Sequence, residues 1–61
     1  MIKVQILDFN KEPEMVFSET FEMTRAINGF YYGGKYILEV NDKVVFDDFV
    51  TTDHKLIIES I

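Results

Sequence analysis

Asp53-His54 is the only place in the chain where an acid stands beside the single histidine. A histidine can serve as a general base if a hydroxyl nucleophile stands within reach. The two serines, Ser18 and Ser60, fall in alternating strand-like runs without an elbow motif, so the nucleophile of a hydrolytic site is missing. Asp47, Asp48, Asp53 and His54 offer hard or borderline metal ligands, but their spacing matches neither a calcium loop nor a zinc motif, and the chain has no cysteine. Gly33-Gly34 lies in a β-rich region and precedes no helix, which removes a phosphate cradle. The expectation is therefore no catalytic residue, no metal ligand and no cofactor.

Binding chemistry is better represented. Asn28-Gly29-Phe30-Tyr31-Tyr32-Gly33-Gly34-Lys35 gathers all three glycines around three consecutive aromatics. Successive side chains of an extended chain point to opposite faces, so the three rings cannot all enter one core and at least one faces outward. Tyrosine on a glycine-flanked segment supplies rigid contact area with a polar tip. Phe30, Tyr31 and Tyr32 are accordingly the candidate anchors for a partner. The alternative is that Phe30 and one tyrosine are core and the glycines only bend the chain.

The acids form the second group. Carboxylates two residues apart on a strand repeat about every 6.6 Å, close to the spacing of phosphates along a nucleic-acid strand. Glu19, Glu22, Asp47 and Asp48 are the candidate acidic contacts.

The elements that must position these residues read as β-strands. Ile2, Val4 and Ile6 alternate with Lys3 and Gln5, predicting a strand to about Phe9, and Asn10 to Glu14 interrupts it. Met15, Phe17, Phe21 and Met23 share one parity with Glu19, predicting a second strand with Glu19 as an inward conflict or the mark of a bulge. These two pair as a hairpin. Thr24 to Asn28 is long enough for one helical turn and no more, which excludes a β-grasp fold with its longer helix.

Tyr36 to Val40 and Val44 to Phe46 flank Asn41-Asp42-Lys43, the strongest hairpin signal in the chain. A two-residue Asn41-Asp42 turn would set Glu39 opposite Val44, Ile37 opposite Phe46 and Lys35 opposite Asp48. Asp47-Asp48 is expected to end or bend that strand, and Thr51 to His54 to turn. The final strand, Lys55 to Ile61, is apolar almost throughout and hazardous as an open edge, so it is expected to pair with the first strand or with a second copy. The resulting expectation is a single domain over 1–61, mainly β, with five antiparallel strands in a small sheet or partly open barrel.

The chain has 61 residues, a formal charge of -5 and 48% apolar residues. The charge argues against direct contact with nucleic acid or an anionic membrane, because both need clustered basic residues and the single Arg25 and five lysines are scattered. No apolar run approaches the roughly 20 residues of a membrane span, and the opening residues lack a signal-peptide pattern. A soluble, cytoplasmic protein is expected, and its high apolar content predicts a homodimer.

In size, acidity and aromatic content the chain resembles small phage-encoded inhibitors, among them anti-restriction proteins, anti-CRISPR proteins and uracil-DNA glycosylase inhibitors. That resemblance implies a non-enzymatic protein occupying the basic surface of a nucleic-acid-processing host protein. The competing expectation is a structural or regulatory module acting through homodimerisation or edge-strand contacts.

Overall fold

The computed structural model describes residues 1–61 and is all-β, with no helix. Its six strands are β1 (Ile2–Asp8), β2 (Met15–Phe21), β3 (Ile27–Tyr32), β4 (Lys35–Val40), β5 (Lys43–Phe49) and β6 (His54–Ser60). They form two three-stranded antiparallel sheets, ordered β2-β1-β6 and β3-β4-β5, and neither closes into a barrel. The expected hairpin of β1 with β2 and the return of the last strand onto the first are both present.

The sixth strand comes from the aromatic stretch. Where one helical turn was expected over Thr24 to Asn28, the chain is irregular through Ala26 and then extended from Ile27 to Tyr32. The cause is visible at the neighbouring hairpin: the Arg25 amide donates to Asn41 Oδ1 (2.8 Å) and the Asn41 amide to the Ala26 carbonyl (3.1 Å). These two bonds hold the segment entering β3 against the β4–β5 turn, in an irregular path with no helical turn. Gly33 and Gly34, with φ of 61° and 81°, then make a two-residue turn of the kind that suits strand twist, and β3 and β4 become a hairpin.

Asn41 and Asp42 also form a two-residue turn, with φ of 54° and 66°. Glu39 lies opposite Val44 as expected, but the next pairs are Leu38 with Phe46, Ile37 with Asp47 and Lys35 with Phe49. A bulge leaves Val45 without a partner and shifts everything beyond it by one residue. The strand also runs through Asp47-Asp48 to Phe49 instead of ending there. A second bulge, at Val16 between Met15 and Phe17, moves Met15 off the core-side row; Glu19 stays on that row opposite Val4 and is exposed at the sheet edge. Asn–Gly is the preferred pair for a turn with two positive φ values, so Asp42→Gly should stabilise the protein by about 0.5–1 kcal/mol in urea denaturation.

The sheets pack face to face, β1 over β4. Val4 and Ile6 from β1 meet Tyr36, Leu38 and Val40 from β4, and these five buried residues are the central cluster. Phe17 and Phe46 close one side in an edge-on contact with centroids 5.6 Å apart, which sets β2 against β5. On the other side β3 meets β6 through Tyr31 and His54, 5.7 Å between ring centroids. The two crossings between sheets are the connections β2 to β3 and β5 to β6.

Candidate functional site

Alternation along the second sheet, read with its register, assigns nine side chains to the face turned away from the core. Across the strands they form three rows: Tyr32, Lys35 and Phe49; then Phe30, Ile37 and Asp47; then Asn28, Glu39 and Val44. Five of the nine are apolar or aromatic. Tyr32 is 76% exposed and Phe49 56%, while Ile37 at the centre is only 8% exposed because longer side chains surround it. Lys35 Nζ lies 5.5 Å from the Phe49 ring centroid and 3.9 Å from Asp47 Oδ1, so the one cation of the face is shared between an aromatic ring and a carboxylate. A Cβ added at Gly34 would stand 3.5 Å from the Phe49 ring, an ordinary contact, so it is the φ of 81° that calls for glycine there.

Of the expected contact residues, Phe30, Tyr32 and Asp47 come together on this face. Tyr31, the middle aromatic, points the other way, as period two demands, and stands at the rim of the sandwich. Asp48 follows the core-side row opposite Tyr36 and is exposed at the β5 edge. Glu19 and Glu22 belong to the other sheet and to the connection that follows it. No strand carries carboxylates two residues apart: Asp47 and Asp48 are adjacent, Glu22 lies past β2, and Glu12 and Glu14 precede it. Glu39 and Asp47 are instead diagonal neighbours across β4 and β5, about 7–8 Å apart for that relation.

The rim cluster has its own hydrogen-bond order. His54 Nδ1 lies 2.7 Å from the Thr51 carbonyl oxygen, which can only accept, so Nδ1 carries the proton. Nε2 then accepts from the Tyr31 hydroxyl at 2.5 Å. Tyr36 packs against both rings, with centroids 5.3 Å from Tyr31 and 5.4 Å from His54. Burial, with the Tyr31 phenol beside it, pushes the Tyr36 hydroxyl above its ordinary value. His54 is thus oriented by Thr51 and Tyr31; its sequence neighbour Asp53 bonds elsewhere, its carbonyl accepting from the Phe9 amide (2.9 Å).

Asp8 was not among the expected functional residues, yet it is the one buried charged side chain. Its Oδ1 accepts from the Thr51 hydroxyl (2.5 Å) and the Asn10 amide (3.1 Å), and its Oδ2 from the Thr51 amide (2.8 Å), with Lys11 Nζ 3.8 Å away. Asn10 Nδ2 donates to Thr51 Oγ1 (2.9 Å) and Lys11 Nζ to the Phe49 carbonyl, so the loop after β1 is tied to the crossing from β5 to β6. This cluster is built from internal partners and holds the two sheets together at the end that carries the Gly33-Gly34 turn. The surface has no pocket, and no group of three or more His, Asp or Glu side chains is arranged for a metal.

In comparisons with protein-family models, curated proteins and solved structures, the chain matches none of them.

Proposed function

We propose that this chain is a non-enzymatic binding protein whose contact surface is the outer face of the β3-β4-β5 sheet. The observation that carries the reading is that face itself: Tyr32, Phe30 and Phe49 stand exposed on a rigid strand framework around a shielded Ile37, with Asp47 and Glu39 set among them. Exposed aromatics with few rotatable bonds, ringed by polar groups, are the composition of binding hot spots. The formal charge of -5 favours encounter with a positively charged surface. The partner we infer is a basic, nucleic-acid-processing host protein, and the action is inhibition by occupying its nucleic-acid surface, as in the phage-encoded inhibitors that the sequence resembles. In this arrangement the aromatics hold the complex and the carboxylates speed its formation.

Capture from host lysate on immobilised protein, followed by mass spectrometry, identifies the partner, and surface plasmon resonance then separates the two contributions. Tyr32→Ala or Phe49→Ala should weaken binding about tenfold or more, mainly through faster dissociation. Asp47→Lys should slow association and flatten its dependence on salt. The reading fails if binding is indifferent to salt, or if the partner keeps its nucleic acid while the protein is bound. Both aromatics are exposed, so these variants leave the central cluster intact, and thermal melts check this directly.

A further inference from the structure

We infer that the β6 edge is a self-association surface, and that its occupant is β6 of a second copy in antiparallel register about a two-fold axis at Ile57. The phase of the β1–β6 ladder sets which backbone groups are free. The Phe9 amide bonds the Asp53 carbonyl and the Ile61 amide bonds the Met1 carbonyl, one at each end of the ladder. Alternation between these ends gives the hydrogen-bonded pairs to Leu7 with Lys55, Gln5 with Ile57 and Lys3 with Glu59. The N–H and C=O groups of Leu56 and Ile58 therefore point away from β1, along an edge that no strand of the chain covers.

A strand added there can adopt several registers, and the side chains distinguish them. Pairing about Ile57 sets Leu56 opposite Ile58 of the second copy, so both residues use their free backbone groups, and sets Lys55 opposite Glu59 on the outer face, twice by symmetry. Moving the axis toward the C-terminus sets Glu59 against Ile57; moving it the other way sets Glu59 against Asp53. Only the register about Ile57 pairs opposite charges and like apolar groups together. Ile58 supplies a second reason. Its side chain shares the core-side row with Leu56, yet it is 47% exposed, and the second copy's Leu56 would stand beside it. The β5 edge has no equivalent, because its bulge at Val45 breaks the straight run that such pairing needs. Because the strands join side by side, the outer face of the β3-β4-β5 sheet stays free, and the inference is independent of the function proposed for that face.

Sedimentation of the wild type, of Lys55→Glu, of Glu59→Lys and of an equimolar mixture tests the register. Each single variant sets like charges opposite each other twice and should raise the dimer dissociation constant about tenfold or more. The mixture should regain the dimer, because in a pair made of one copy of each variant, positions 55 and 59 again carry opposite charges at both contacts. Glu59→Lys also places a lysine opposite Lys3 in its own chain, so amide hydrogen exchange on the wild type provides a measurement free of substitution. Exchange at Leu56 and Ile58 should slow as concentration rises through the dimer constant. A wild type that stays monomeric up to about 1 mM overturns the inference. So do single variants that dimerise as the wild type does, a mixture that stays monomeric, or Leu56 and Ile58 amides whose exchange is independent of concentration.

Discussion

Asp8→Ala should lower the melting temperature by about 10 °C or more, although the residue belongs to no proposed contact surface. The substitution removes one carboxylate, strands three donors, the Thr51 amide, the Thr51 hydroxyl and the Asn10 amide, and takes away the charge that faces Lys11. Two of those donors lie on the crossing from β5 to β6, so both sheets lose a tie. In a chain this small, little reserve offsets such a loss. Asp8→Asn tests whether shape or charge matters, since one amide oxygen still accepts while the other position becomes a donor facing donors. It should recover only part of the stability.

The same carboxylate makes stability depend on pH. The Thr51 hydroxyl bond is the largest cause holding the Asp8 carboxyl below its ordinary 3.8, opposed by desolvation and helped by the Thr51 and Asn10 amides and by Lys11. A depressed value in the folded state means that the unfolded chain takes up its proton first as acid is added. The contribution is thus fully present above 3.8 and is lost as pH falls through the folded value. Melting curves of wild type and Asp8→Ala should differ most at and above about pH 5 and converge below the ordinary carboxylate range. A gap that stays constant down to about pH 2 would show that ionisation of Asp8 is not what the cluster recognises.

The Asp8 cluster also marks where sequence patterning stops. Period two along Ile2, Val4 and Ile6 identifies β1 and places position 8 on the same row, so the inward direction of Asp8 was legible. Its satisfaction was not, because Thr51 lies far along the chain and only the crossing between sheets brings it near. The Asn41-Asp42 turn was legible from residue type alone, whereas the bulge at Val45 was not: three consecutive apolar residues, Val44 to Phe46, fit either phase of a strand. The aromatic stretch shows both effects. Alternation required at least one outward ring, which Phe30 and Tyr32 supply, but the glycines read equally as a bend; Gly29 lies inside β3, and the Tyr36 ring that crosses it from β4 is announced by no local pattern.

That ring gives the other large expectation. Gly29→Ala should destabilise the protein by about 2–3 kcal/mol, although alanine at an exposed strand position ordinarily gains about 0.5–1 kcal/mol over glycine. Gly29 lies opposite Leu38 and diagonal to Tyr36, whose ring crosses the space a side chain would occupy. A Cβ at position 29 would overlap Tyr36 Oη and lie 2.8 Å from Cζ, well inside contact distance. Tyr36 cannot yield cheaply, because it is buried in the central cluster and packed against Tyr31 and His54. If it swings outward, it loses those contacts and the burial that raises its hydroxyl pKa, so tyrosine absorbance in alkali should show that group returning toward 10.0. A double-mutant cycle with Tyr36→Ala isolates the cause: once the ring is absent, the cost of Gly29→Ala should vanish, leaving only the ordinary preference for alanine. Additive costs in urea denaturation would mean that glycine is required at position 29 for its backbone and not for the ring that lies across it.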